Sequence, residues 1–296
     1  MFNRSITIFI IALILMFIGC EQKDNDVDLI IQLIDNSQYT SEGTITFDDS
    51  LSTSSETKSA DSIPDWVRFV RRIERPVTRL IQVEVTGDSA VATITAYLQG
   101  NPPNYGFFVR NLTDTSLVYR RSISDSTRRR VKLYKDLYGW HIASITAWDT
   151  RTVNADPPIS INELNIEVAS RNYVFSLTDP DKFITRESLP NFRPGDTVKL
   201  TVTVNIPNDS SWTFLHRGRR HNYYWHIRQP LFKQSTNIFY RTYVISDENP
   251  IPPCVRHFTI DVIGWQTLYG DSLATYTARA WGLPYIVRNP TDEIPE

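Results

Sequence analysis

The chain has 296 residues, 41% hydrophobic, 12% aromatic and 22% charged, a globular composition long enough for two cores. A formal net charge of −2 and a sequence pI near 6.2 exclude a nucleic-acid binder that works through bulk positive charge. Two cysteines, Cys20 and Cys254, leave no internal disulfide if Cys20 is modified, so stability has to come from buried apolar surface.

Residues 1–20 read MFNRSITIFIIALILMFIGC. Arg4 precedes an unbroken apolar run from Ile8 to Ile18, and Glu21-Gln22-Lys23-Asp24 turns polar immediately after Cys20. A spanning helix needs about 20 apolar residues, so a run this short reads as the core of a signal segment. The Gly19-Cys20 junction resembles the lipobox of bacterial lipoproteins, although Phe17 and Ile18 stand where that family favours Leu and Ala or Ser. The resemblance implies a signal peptide over 1–19, a diacylglycerol on Cys20 and a short tether over 20–26. It also implies the lipid bilayer as a partner and a place in the bacterial cell envelope, at the outer membrane facing the periplasm or the cell surface. An uncleaved signal anchor is the alternative.

Asp24-Asn25-Asp26 supplies helix-starting residues before Val27, Leu29, Ile30, Ile31, Leu33 and Ile34, whose spacing predicts a helix ended by Asn36 and Ser37. The start mimics a calcium loop, but Leu29 and Asp35 occupy the places where such a loop needs Gly and Glu. Residues 50–62, SLSTSSETKSADS, read as a loop. Pro64 opens a second predicted helix carrying Trp66, Phe69, Val70 and Ile73, and Pro76 closes it. Arg68, Arg71, Arg72 and Arg75 give that helix a basic face, which could meet anionic head groups or simply be solvated.

The period then changes to two. Residues 77–86 and 90–98 flank Gly87-Asp88 as a hairpin, and strands follow at 105–110, 117–123, 128–135 and 140–148. Helices followed by an antiparallel meander form an α+β pattern. The closing stretch RRRVKLYKDLYGWHIASITAW, at 128–148, resembles the last hairpin of nuclear transport factor two-like domains. That resemblance spans 27–150 and implies a cone, a curved sheet wrapped on helices with a pocket at its mouth. It transfers no catalytic residue, because the family mixes enzymes, binders and adaptors.

Ala155-Asp156-Pro157-Pro158 marks a boundary, which divides the chain into an α+β domain at 27–152, a linker at 153–158, an all-β domain at 159–290 and a tail at 291–296. In the second part Pro194-Gly195-Asp196 leads into TVKLTVTVN, with Val198, Leu200, Val202 and Val204 on one face. Further strands fit 161–168, 172–177, 211–217, 221–228, 236–245, 254–263 and 273–281. The Pro-Gly-Asp-Thr-Val motif resembles immunoglobulin-like domains of bacterial surface proteins and implies a β-sandwich, with Trp212 or Trp225 as a core filler.

Three constellations invite chemistry. Cys254 and His257 lie three apart on a strand and so point to opposite faces; Cys254 shares parity with Phe258, Ile260 and Val262 and belongs in the core, leaving His257 to face out. His216, His221 and His226 are five apart and supply at most two ligands at one point, fewer than zinc requires. His216-Arg217-Gly218-Arg219-Arg220-His221 runs without a carboxylate into Tyr223, Tyr224 and Trp225, which fits either a solvated hairpin tip or an anion- or sugar-binding edge.

The reading that results is a β-rich, non-enzymatic envelope lipoprotein with an interaction or assembly role and no cofactor or metal. Its interaction surfaces would be Arg68, Arg72 and Arg75 on one side and Arg217, Arg219 and Arg220 on the other, toward an envelope protein partner and not nucleic acid. The alternative is an apolar small-molecule binder, less readily an enzyme, that uses the cone where Ala90, Ala92, Ile94, Ala96 and Leu98 share a strand face.

Overall fold

The computed structural model describes residues 25–41, 67–111, 118–206, 210–218, 226–247 and 251–295. Cys20, the serine-rich stretch 50–62, Arg219, Arg220, His221 and Trp225 lie outside the described residues, and of Arg68 only the backbone register is described. The first helix, α1 (25–36), forms as its spacing predicts, with Ile30 and Ile34, one turn apart, buried on one face.

The second predicted helix is instead a strand, β1 (Val67–Arg72). Phe69, Arg71 and Ile73 are buried while Arg72 is exposed, a period of two and not 3.6. Phe69, Val70 and Ile73 satisfy helical spacing as well. What decides is the partner: β1 pairs residue by residue with β4 (Gly106–Asn111), from Val67 opposite Asn111 to Arg72 opposite Gly106. With β5 (Val118–Arg121) these strands form a three-stranded sheet in the order β1-β4-β5.

The expected hairpin is present as β2 (Thr78–Thr86) and β3 (Ser89–Gly100), turned at Gly87, whose φ of +58° suits glycine. Ala90, Ala92, Ile94, Ala96 and Leu98 are all buried, and all but Ala96 belong to the core cluster that also holds Ile30 and Ile34. Ion pairs from Asp35 to Arg79 and from Asp26 to Lys135 fasten both ends of α1 to the sheet. One edge of β6 (Ile123–Asp136) pairs with β3. The other edge is shared: β7 (Gly139–Ile145) takes its second half and β8 (Trp148–Thr152) takes Asp125–Arg128.

Through β8 the sheet continues into the second half of the chain. β8 pairs with β19 (Ala278–Val287), which pairs with β18 (Cys254–Gly264), then β14 (Ser211–Gly218) and β15 (His226–Pro230). With the two-residue strands β11 (Ile184–Thr185) and β12 (Asn191–Phe192), the latter parallel to β19, eleven strands share one sheet among the described residues. The stretch 153–158 leads from β8 of this sheet to β9 (Ser160–Val168) of a separate five-stranded sheet, while the large sheet itself takes strands from both sides of it. Its prolines interrupt the chain locally but not the ladder, which is built from pairings as distant in sequence as Arg151 with Arg279.

A five-stranded antiparallel sheet, β10 (Tyr173–Leu177), β9 (Ser160–Val168), β13 (Thr197–Asn205), β17 (Ile238–Val244) and β16 (Phe232–Lys233), forms a further layer. The inward residues of β13 are Val198, Leu200, Val202 and Val204, as the alternation predicts. The strand expected at 273–281 begins later, at Ala278, after a short helix α2 (Trp265–Tyr269). Residues 291–295 do not trail away: Ile294 packs on the core and the Tyr39 hydroxyl donates to the Pro295 carbonyl.

β18 and β19 are buried on both faces. Arg217 of β14 lies 4.3 Å over the Tyr243 ring of β17, linking the large sheet to the five-stranded one. On the opposite face Phe69 of β1 meets the Phe214 ring edge-on at 5.1 Å, and Arg228 of β15 donates to the Phe69 carbonyl. Three layers thus meet at β18, with the three-stranded and five-stranded sheets on either side.

Candidate functional site

Charged residues in an otherwise apolar phase of a strand are where a core departs from simple packing. On β6 the inward phase runs Ile123, Asp125, Thr127, Arg129, Val131, Leu133; on β18 Asp261 sits among Ile260, Val262 and Ile263. β1 contributes Arg71, β14 contributes His216, and Tyr276 precedes β19. All five of Arg71, Asp125, His216, Asp261 and Tyr276 are buried.

Their geometry is a chain of charge-assisted contacts. Arg71 Nη2 lies 3.2 and 3.0 Å from the two oxygens of Asp261, and His216 Nε2 lies 3.2 Å from Asp261 Oδ2. Asp125 accepts from Tyr276 Oη at 2.9 Å and from Thr152 Oγ1 at 2.7 Å. The Arg71 guanidinium stands 5.6 Å over the Tyr276 ring. Burial raises the Asp125 carboxyl to about 6, even though Arg71 and its two hydroxyl donors pull the other way. Burial also acts on Asp261, but Arg71 and His216 outweigh it and hold that carboxyl below its ordinary value. Burial pushes the Tyr276 hydroxyl well up, so it remains a donor. Two carboxyls with different protonation ranges beside a cation and an imidazole form an acid–base arrangement in principle. The recess that Arg71, Asp125, Asp261 and Tyr276 line has room for about one water molecule.

Arg129 is a second buried cation, and among the described residues no carboxylate pairs with it. It donates to the carbonyls of Tyr39 at 2.9 Å and Gly282 at 3.2 Å and lies 4.9 Å over the Trp148 ring. Burial draws it down to about 9. Arg121 is spent on the chain itself, donating to the carbonyls of Gln266, Thr267, Gly270, Asp271 and Ala274 around the end of α2.

The expected site residues are placed differently from one another. Cys254 is a buried thiol in phase with Phe258, Ile260 and Val262, and His257 is on the other face, as strand parity requires. That other face is not solvent: His257 Nε2 lies 2.8 Å from the Gln38 carbonyl and 3.1 Å from Ser41 Oγ, because a second layer covers β18. His216 belongs to the buried cluster. Arg217 is held by Gln229 at 2.7 Å and by Tyr243, so its head is not offered to solvent as the hairpin-tip reading supposes. Among the described residues no three His, Cys, Asp or Glu side chains group as metal ligands, and no helix is long and apolar enough to cross a membrane.

Arg72 is exposed, on a sheet and not on a helix. Its face of the three-stranded sheet carries Arg110 and Arg120 as well, around Val70, Phe108 and Val118, and places Arg68 opposite Arg110 by register. Among the described residues the guanidiniums of Arg72, Arg110 and Arg120 form no ion pair or hydrogen bond; Arg72 lies 5.5 Å over the Phe108 ring. Arg110 and Arg120 sit on strands of alternating pattern, and only the pairing of β4 with β1 on one edge and β5 on the other gathers them on the face of Arg72. Comparison with protein-family models, with curated proteins and with solved structures finds no match for this chain.

Proposed function

We propose that this chain is a lipid-anchored envelope protein with a non-catalytic interaction or assembly role, binding an acidic partner through the arginine face of the β1-β4-β5 sheet. The observation that carries the binding role is the contrast between interior and surface charge. Arg71, Asp125, His216, Asp261 and Tyr276 are occupied with one another around a water-sized space, whereas Arg72, Arg110 and Arg120 share an exposed face on which they meet no carboxylate among the described residues. Unpaired arginines beside an aromatic ring are suited to carboxylates on a protein surface. The anchor rests on the apolar run that closes at Gly19-Cys20.

The finer reading of the fold is a cone-like first part and an immunoglobulin-like second part. It is supported by α1 lying on the β2-β3-β6-β7 sheet and by the alternating burial of β9 and β13. Ala90, Ala92 and Ala96 of β3 are buried, as close packing requires, which favours the interaction role over an apolar ligand in the cone.

Two measurements test the proposal. A radioactive fatty acid should label the wild-type chain in cells and not a Cys20→Ser variant. A photocrosslinking residue at Phe108 should form a discrete adduct in the envelope that Arg72→Gln/Arg110→Gln/Arg120→Gln abolishes. Absence of label on the wild type ends the anchor; an adduct indifferent to the three arginines ends the binding face.

A further inference from the structure

The turn between β6 and β7 displays Leu137 at 99% and Tyr138 at 92% of full exposure. Exposed single apolar residues are ordinary on protein surfaces, but two consecutive large ones at the apex of a hairpin are not a turn-forming choice. Two-residue turns favour Asn, Asp and Gly. Here Gly139 alone takes the positive φ, +121°, leaving Leu137 and Tyr138 with no backbone reason to be where they are.

The apex is also rigidly held. Asp136 pairs with Gly139, and its Oδ1 accepts the Tyr138 backbone N–H at 2.7 Å and lies 2.9 Å from His141 Nε2. Tyr134 stacks on His141 with centroids 5.2 Å apart. The two side chains are therefore presented on a fixed support.

The position of the apex relative to the chain start is the second observation. Asp26, on the first turn of α1, accepts from Lys135 Nζ at 2.7 Å and from Trp140 Nε1 at 3.1 Å. Lys135 and Trp140 face each other across the hairpin, one pair before its end. Cys20 stands five positions before Asn25, and five residues of fully extended chain span at most about 18 Å. A lipid on Cys20 is thus on a tether too short to hold the hairpin far from the membrane it enters.

We propose that the β6–β7 apex enters the bilayer next to the anchor, with Leu137 among the acyl chains and Tyr138 at the head-group boundary. This inference rests on the lipid-anchor reading above. Tyrosine favours that boundary because its ring is apolar and its hydroxyl hydrogen-bonds, and the exposed Tyr134 flanks the apex. The surrounding charges are mixed: Asp26, Asp88 and Asp136 stand with Lys132, Lys135 and His141. Entry is consequently driven by apolar burial and does not need anionic lipid. A firm second contact fixes the orientation of a protein that one flexible tether would leave free to tumble.

The test uses the full chain purified from membranes and reconstituted in phosphatidylcholine vesicles. An environment-sensitive fluorophore is placed at Leu137→Cys, and in a second sample at Val174→Cys on β10, 63% exposed in the five-stranded sheet; unsubstituted chain controls for labelling of Cys254. The Leu137 label should be blue-shifted and quenched by lipid-borne nitroxides at a depth of about 5–10 Å, the Val174 label neither. A Tyr138→Cys label should lose its shift when Leu137→Asp is added, with unchanged circular dichroism. Equal signals at 137 and 174, or a shift that appears only with anionic lipid, overturn the proposal. Fatty-acid labelling of the same preparation separates the two readings. An unlabelled chain refutes the anchor whatever the fluorophore reports, and a labelled chain with a water-exposed Leu137 position refutes the apex contact alone.

Discussion

Arg71 and Arg129 are both buried guanidiniums, and they are compensated in opposite ways. Arg71 faces the carboxylate of Asp261 and feels that of Asp125, and the three share their field with His216 and Tyr276. Arg129 has two carbonyl dipoles and the face of Trp148, and burial lowers its proton affinity to about 9. Formal charge opposes formal charge in one place, and dipoles with a π-system oppose it in the other. The first arrangement is strong but brittle, since removing either partner strands the other in a water-poor interior. The second is weaker and more tolerant, because the partners left behind are neutral.

The largest effect should follow from breaking the charged set. Asp261→Asn leaves Arg71 and His216 facing a neutral amide and should cost about 3–5 kcal/mol in urea unfolding. An apolar replacement of the pair, Asp261→Leu with Arg71→Met, should be far milder than the single change. A double variant as damaged as Asp261→Asn would mean that the ion pair is not what the single substitution disrupts.

Arg129→Met tests the other side of the comparison. It removes the desolvated cation but leaves the carbonyls of Tyr39 and Gly282 without this donor, so a loss of about 1–3 kcal/mol is expected. A loss equal to that of Asp261→Asn would erase the distinction between the two arginines.

The smallest effect is in the pH profile. Asp125 has its folded value raised to about 6 from an ordinary 3.8, so its contribution is complete below the unfolded value and is lost as pH rises through about 6. His257 is lowered to about 4, chiefly by burial and then by Arg129, so its contribution is present above 6.5 and is lost as pH falls toward 4. The two slopes oppose each other between pH 4 and 6. In His257→Gln the melting temperature should fall with rising pH across that window; a rise would show that the Asp125 carboxyl ionises in its ordinary range.

Much of the local structure was legible from spacing. The α1 helix, the hairpin at Gly87, the alternating β13 and the parity that buries Cys254 all follow from periods of 3.6 and 2 that the residues carry themselves. β1 was misread because Phe69, Val70 and Ile73 satisfy both periods, and its strand partner lies about forty residues away. The buried cluster was legible only as an anomaly, Asp125 sharing a strand phase with Ile123, Val131 and Leu133 and Asp261 interrupting the apolar run of Ile260, Val262 and Ile263. Nothing along the chain says that they meet the same Arg71.

By itself, then, the sequence determined which faces are apolar, where turns fall and that an apolar segment ends at Cys20, since these depend on residues within a few positions of one another. The tertiary structure alone decided that strands on both sides of 153–158 share a sheet, that His257 meets a second layer, and that three arginines gather on one open face. Those outcomes depend on which strands pair across long loops. Pairing is fixed by the total surface that all layers can bury together, a quantity that no local pattern contains.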